Sequence, residues 1–259
     1  MRPSAHKDDG PIIRVQGFTA AYGDRVVLDD IDFEVNRGEI FVILGGSGCG
    51  KSTLLKHMIG LYKPVSGNIF IDGDDMATAD EKTRFRILRT VGVTYQSGAL
   101  FGSMTLIENI KLPMEEFTEL PEDTMNLIAR MKLSLVGLLG FEYHYPSELS
   151  GGMVKRAAIA RAMALDPMIL FLDEPSAGLD PITSVELDRL ILNLRDSLNI
   201  TFVIVSHELA SIYTIADRVI MLDQRYKKIV ASGNPSELRD HSDNPWVRRF
   251  FNREPELAL

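Results

Sequence analysis

The chain has one cysteine, Cys49, and one tryptophan, Trp246, in 259 residues. A single thiol excludes an internal disulfide framework and fits a reducing compartment. No apolar run approaches the ~20 residues that cross a bilayer. The longest, such as Ile40 to Leu44 and Met168 to Leu172, have the length of core strands. No basic segment followed by an apolar stretch opens the chain, so a cleaved export signal is not expected and a cytosolic address is. Basic residues are in deficit, 28 Lys and Arg against 36 Asp and Glu for a net charge of −8. That balance disfavours sequence-independent binding to nucleic acid. Internal repeats and low-complexity segments are also missing. The hydrophobic fraction of 45% and charged fraction of 25% belong to an ordinary folded domain. The length suits one large α/β domain with lobes, or two small domains.

The polar, aperiodic residues 1–11 read as a loose tail. From Ile12 to Val35, apolar-alternating runs (Ile12 to Phe18, Ile31 to Val35) flank Gly23-Asp24 and other turn signals, predicting antiparallel strands. Ile40 to Leu44 reads as a buried strand, followed by a glycine-rich loop and a helix over Ser52 to Ile59. Further buried strands are predicted at Val91 to Tyr95, Ile169 to Asp173, Thr201 to Val205 and Val219 to Leu222. Helical stretches between most of them imply a mostly parallel sheet. Helix-compatible segments at Leu106 to Met114, Glu122 to Val136 and Gly152 to Leu165 predict an inserted helical lobe at about 97–165. From Asn234 the chain reads as a C-terminal extension of short helices. There Trp246, Val247, Phe250 and Phe251 share one helical face, which packs either on its own domain or on a partner.

Gly45-Gly46-Ser47-Gly48-Cys49-Gly50-Lys51-Ser52-Thr53, set between a strand and a helix, satisfies the phosphate-loop pattern. Glycines let backbone amides turn onto phosphate oxygens, and the helix N-terminus adds positive potential. Lys51 is placed to reach β and γ phosphates, Ser52 to offer a hydroxyl to Mg²⁺, and Thr53 to contact phosphate. Cys49 is either a small filler or, at a helix N-terminus, a thiol with redox character; the filler reading is favoured. The strand Ile169 to Asp173 ends in two carboxylates, Asp173 for the metal and Glu174 for general-base catalysis or water positioning. His207 and Gln96 each follow a predicted strand, where a side chain can reach a γ-phosphate, a metal or a water. Tyr22 is either an adenine-stacking aromatic or a partly buried strand-end tyrosine. A second glycine segment, Leu149-Ser150-Gly151-Gly152-Met153, opens an alanine-rich helix and reads either as another phosphate-facing helix N-terminus or as a simple cap.

In this order the motifs resemble those of ATP-binding cassette (ABC) ATPases over about residues 12–233. Gly45 to Thr53 is similar to Walker A, Gln96 to the Q-loop, and Leu149 to Met153 to the signature. Ile169 to Glu174 is similar to Walker B, Ser176 to Asp180 to the D-loop, and His207 to the switch histidine. The resemblance implies a P-loop NTPase fold of ABC type, with a mostly parallel core sheet, an antiparallel β subdomain and an inserted helical subdomain. It implies ATP and Mg²⁺ as cofactors, with Ser52, Gln96 and Asp173 at the metal and Tyr22 as the A-loop aromatic. It also implies a head-to-tail homodimer in which Ser150, Gly151, Gly152 and Asp180 of one copy face ATP held by the other. Integral membrane permease subunits would seat a coupling helix near the Q-loop, placing the chain peripherally on the cytoplasmic face of the inner membrane.

Met153 stands where the family usually has glutamine. With Gln96 to Phe101 and Asp180-Pro181-Ile182-Thr183, it is similar to the ATPases of MCE-type lipid transporters. That narrower resemblance implies phospholipid or related hydrophobic cargo, with an MCE-domain protein and a small STAS-type accessory subunit as partners. It also favours a C-terminal extension, 234–259, that contacts a neighbouring subunit. The alternatives are a polar-solute importer, a lipoprotein exporter, or an ABC ATPase of DNA repair or translation. The last usually carries coiled-coil or zinc insertions or a second cassette, which this sequence lacks, and its acidic charge also argues against it.

Overall fold

A computed structural model describes residues 10–254; residues 1–9 and 255–259, including most of the expected N-terminal tail and the end of the expected C-terminal extension, lie outside them. The first elements in chain order are β1 (Ile13–Tyr22), β2 (Arg25–Val35), β3 (Ile40–Gly45), α1 (Lys51–Met58), β4 (Ser66–Ile71), β5 (Asp74–Asp75) and α2 (Glu81–Arg89). Next come β6 (Val91–Thr94), α3 (Leu106–Phe117), α4 (Glu122–Leu135), a 3₁₀ turn (Pro146–Glu148), α5 (Gly151–Ala162) and β7 (Ile169–Asp173). The chain continues with α6 (Pro181–Leu198), β8 (Thr201–Val205), α7 (Leu209–Ile215), β9 (Arg218–Asp223), β10 (Lys228–Gly233), α8 (Pro235–His241) and α9 (Pro245–Asn252). The described residues divide into two compact units, one of residues 10–88 with 216–254, the other of Arg89–Ile215.

The first unit holds an antiparallel sheet in the order β2-β1-β4-β5. In β1, Ile13, Val15, Phe18 and Ala20 are buried while Arg14 and Gln16 are exposed, the alternation of a strand with one covered face. Irregularities between Val15 and Phe18 and again between Phe18 and Ala20 interrupt its register with β2. The two strands join through Gly23-Asp24, so Tyr22, paired with Arg25, sits at the hairpin tip. All six residues of β3 are buried, as expected for a strand covered on both faces. It pairs in parallel with β9 from Phe41 opposite Arg218 to Gly45 opposite Leu222, and β10 closes the edge antiparallel to β9.

Asn234 and Asn244 cap α8 and α9, accepting hydrogen bonds from the Ser236 and Trp246 amides at 3.0 Å each. In α9, Val247 and Phe251 are buried within this chain and the Arg225 guanidinium lies 5.8 Å from the Trp246 ring centroid. Of the apolar face read from the sequence, Val247 and Phe251 are covered within this chain, while Trp246 and Phe250 stay half-buried.

The second unit carries β6, β7 and β8 in parallel, with Thr94 opposite Leu172 and Asp173 opposite Val205. The first four residues of β7 and all five of β8 are buried. Between β6 and β7 run the helices α3, α4 and α5. A capping box starts α3: Glu108 accepts from the Thr105 amide at 2.7 Å. Asp180 caps α6, and Asn199, in the left-handed region at φ 53°, ends it.

Candidate functional site

The phosphate loop belongs to the first unit. Its backbone needs glycine at two places for different reasons. At Gly45, φ is 146° and a Cβ would run into Cys49 Sγ and the Leu222 carbonyl. At Gly50, φ is 104° and a Cβ would lie 2.9 Å from Leu28 Cγ. Gly46, Ser47 and Gly48 face solvent while Cys49 and Gly50 are buried. The Lys51 ammonium folds over this arc, donating to the Gly45 and Gly46 carbonyls at 2.8 and 3.1 Å. Among the described residues no side chain caps α1, and its first turn holds no acidic residue, so the helix keeps its positive end. Ser52 is exposed and Thr53 half-buried. Tyr22, 51% exposed, brings its hydroxyl 3.4 Å from Thr53 Oγ1. The hairpin tip and the phosphate loop are therefore neighbours, although they lie far apart in sequence.

Cys49 is 1% exposed, and burial pushes its thiol up, partly offset by Lys51. A buried, protonated thiol filling the space under Gly45 matches the filler reading rather than the redox one. Gln224 is a neighbour that the motifs do not mark: a Cβ on Gly48 would meet its amide nitrogen at 3.5 Å. The preceding Asp223 is 3% exposed. Burial alone would raise its carboxyl, but the Arg225 side chain and the Arg225 and Tyr226 amides outweigh it and hold the group low.

The remaining candidates belong to the second unit. Parallel pairing of β6, β7 and β8 aligns their carboxyl ends, the usual place for ligands on such sheets. Gln96, Glu174 and His207 follow these three strand ends, and Asp173 is the last residue of β7. Glu174 has φ 48°, an uncommon conformation for a glutamate that costs about 1–3 kcal/mol unless its surroundings hold it. Four contacts do so. Its amide donates to the Val205 carbonyl at 2.8 Å, its carbonyl accepts from Lys155 Nζ at 3.3 Å and from the Ala177 amide at 3.2 Å, and its carboxylate meets His207 Nδ1 at 2.7 Å. That last contact places the proton of a neutral His207 on Nδ1. The His207 side chain is 65% exposed and the Glu174 side chain 13%.

Lys155 carries no motif signal in the sequence, yet it also donates to the Gln96 carbonyl. Burial lowers its ammonium, while Glu174 and Asp173 pull it back up. The segment after Gln96 is clamped further along α5, where Arg161 donates to the Ala99 carbonyl at 2.6 Å and the Gly98 carbonyl at 3.3 Å. Asn109 of α3, fully buried, donates and accepts at both backbone groups of Phe101 and donates to the Met104 and Thr105 carbonyls.

Ser150 caps α5, accepting from the Met153 amide at 3.3 Å, and Gly151 is exposed in the first turn. Gly152 is buried, and a Cβ there would collide with the Thr183 methyl of α6, so this glycine serves helix approach. The Asp180 carboxylate accepts from the Ile182 and Thr183 amides at 3.0 and 3.1 Å and from the Thr183 hydroxyl. Those bonds, the Thr183 side chain first, hold its carboxyl below the usual range.

The sequence profile of the ABC transporter family matches residues 28–177, from β2 through the Glu174 strand end to Ala177. The chain belongs to the ABC transporter family. It is an ABC ATPase, and the phosphate loop and the Glu174 strand end both lie inside the matched span. Over 233 residues it is 41% identical to the intermembrane phospholipid transport system ATP-binding protein MlaF of Haemophilus influenzae, covering 90% of this chain and 87% of that protein. It is equally identical over 243 residues to the probable ribonucleotide transport ATP-binding protein mkl of Mycobacterium leprae, covering 94% of this chain and 69% of that protein. Among solved structures, cbiO1 of Clostridium perfringens, part of the ABC transporter complex cbiONQ, aligns with TM-score 0.82 and 29% identity over 91% of this chain and 93% of that one. The ATP-binding cassette MJ0796, in a dimeric post-hydrolysis state bound to ADP and phosphate, aligns with TM-score 0.76 and 28% identity over 86% and 98% of the two chains. No helix among the described residues is long and apolar enough to cross a membrane.

Proposed function

We propose that this ABC ATPase drives a phospholipid transporter from the cytoplasmic face of a membrane, as a head-to-tail homodimer bound to permease subunits. The observation that carries the catalytic part is the Glu174–His207 pair, held at 2.7 Å beside the Gln96 strand end. Glu174 polarises the attacking water and His207 orients the carboxylate and faces the γ-phosphate. Lys51 is the cation for the β and γ phosphates, which exchange with the Gly45 and Gly46 carbonyls that it now contacts. Tyr22 stacks on the adenine, its half-exposed ring fixed near Thr53.

The residue types that the family resemblance assigns to the metal suit Mg²⁺: Ser52 carries a hydroxyl, Gln96 an amide oxygen and Asp173 a carboxylate, hard-oxygen ligands of the kind this ion takes alongside its own waters. Among the described residues no cluster of three or more His, Cys, Asp or Glu offers a richer cage. When bound, Mg²⁺ supplies charge neutralisation on the β and γ oxygens.

In the dimer, Ser150 and the amides at Gly151 point at the γ-phosphate held by the other copy. Asp180 shapes the turn into α6 through its cap. Cargo is read from similarity to MlaF over nearly the whole chain, together with Met153 in the signature and Gln96 to Phe101. An MCE-domain protein and a STAS-type subunit complete the assembly. The equal identity to mkl supports a second reading, transport of a polar, nucleotide-like solute. Purifying the native complex and identifying its subunits and bound molecules separates the two. Phospholipid with an MCE-domain partner is expected, whereas a soluble solute-binding subunit with no lipid would overturn the lipid reading.

A further inference from the structure

Tyr22 belongs to a closed circuit of contacts in the first unit. Its ring stands edge-on to Tyr62, with centroids 6.3 Å apart and planes at 88°. Tyr62 in turn lies 5.7 Å from the His57 ring. His57, 5% exposed and buttressed by Phe18 at 5.1 Å, meets the Thr53 carbonyl through Nδ1 at 2.7 Å. A carbonyl only accepts, so Nδ1 carries the proton. The Tyr22 hydroxyl lies 3.4 Å from Thr53 Oγ1, which closes the ring of contacts. The sequence pattern marks Tyr22 and Thr53 for nucleotide contact, but it gives neither Tyr62 nor His57 a function.

A tyrosine half exposed at the tip of a two-residue turn would otherwise sample several rotamers, and a stacking platform that must first be ordered binds less tightly. The edge-to-face arrangement is the geometry that aromatic pairs favour. The Tyr62 ring also has a cation beside it, with Lys56 Nζ 5.9 Å from its centroid. Among the described interactions, its contacts are with rings and that cation.

We infer that Tyr62, backed by His57, is a positioning residue for nucleotide base recognition, fixing the Tyr22 ring relative to the phosphate loop. This rests on the reading of Tyr22 as the base platform. Rigid spacing between platform and loop favours a ligand carrying an aromatic base and a polyphosphate on one frame, over either group alone.

The test compares two ligands of the intact protein, ATP and inorganic tripolyphosphate, each titrated in Mg²⁺ against Tyr62→Ala, Tyr62→Phe and Tyr22→Ala. With Tyr62→Ala, ATP affinity should fall roughly 3- to 10-fold, the range that an aromatic pair supports. Tripolyphosphate affinity should stay unchanged. Tyr62→Phe should restore ATP binding, because the contacts use the ring and not the hydroxyl. Equal losses for ATP and tripolyphosphate, or no loss for ATP, would overturn the inference. Tyr22→Ala serves as the separate arm: if ATP binding survives it unchanged, the base-platform reading itself falls.

Discussion

Replacing Lys155 with Ala should uncouple the strand ends without emptying the nucleotide site. Lys155 Nζ donates to the carbonyls of Gln96 and Glu174, the latter at 3.3 Å. Hydrogen bonds from a charged donor contribute about 1.5–3 kcal/mol, and the half-buried setting of Lys155 and the length of the second bond place the loss near 1–2 kcal/mol. Glu174 is sensitive to that loss because its backbone sits at φ 48°, where holding contacts replace intrinsic preference. After the substitution, the Val205 and His207 contacts and the Ala177 amide, 3.2 Å from the Glu174 carbonyl, are left to hold it. If the loss falls on the geometry of the attacking water, kcat should drop about 10-fold, since about 1.4 kcal/mol is a factor of ten. KM for ATP should change little, because the lysine assigned to the phosphates is Lys51, which belongs to the other unit. Lys155→Arg should recover much of the rate, since a guanidinium can reach the same two carbonyls. Steady-state ATPase kinetics with a thermal melt on each variant provide the assay. An unchanged kcat in Lys155→Ala would refute the reasoning, and so would a loss confined to KM.

Glu174→Gln should bind ATP normally but lower turnover by about 100-fold or more, in keeping with the weight of a general base. Near-normal hydrolysis would remove Glu174 from that role. Asn109→Ala should lower stability by about 2–4 kcal/mol in chemical denaturation, because it strands several backbone groups around Phe101 that the buried amide now satisfies. A change within experimental error would show that water or a neighbour replaces the amide. Asp188, 3% exposed, has its carboxyl raised by burial, so the folded state favours the protonated form. Its ionisation therefore costs stability as pH rises through the raised value, and the cost is absent below the unfolded value. Asp188→Asn should accordingly raise the melting temperature at pH 8 relative to the parent and lose that advantage near pH 4; a pH-independent difference would contradict this.

The phosphate loop was legible in the sequence because its chemistry demands particular residue types in one unbroken run. Glu174, Gln96 and His207 were legible for a related reason: each follows an apolar strand, and parallel pairing brings strand ends together. Lys155 and Asn109 were not, because their partners depend on how α5 and α3 pack, and a lone lysine or asparagine on a helix has no local signature. The register irregularities of β1 were equally hidden, although the Gly23-Asp24 turn was not. Strands β4 and β10 escaped because Ser66–Ile71 and Lys228–Gly233 bury few residues, so their alternation is weak. Helix α2 buries only Ile87 and presents mostly charged residues, leaving little apolar stripe to detect. Gly152 shows the limit of motif reading from the other side. It lies in a segment read for phosphate contact, yet its missing side chain makes room for Thr183.

Complementation between two inactive variants tests the central claim most directly, namely that each ATP site takes Lys51 from one copy and Ser150 from another. Lys51→Ala and Ser150→Arg should each abolish hydrolysis when assayed alone. Mixed in equal amounts, about half of the dimers pair one variant with the other, and each such dimer contains one site with both residues intact. The mixture should therefore regain up to about a quarter of the parental ATPase activity, the statistical yield for a symmetric two-fold dimer. A mixture as inactive as its two components, under conditions where the subunits are shown to exchange, would contradict a site shared between copies.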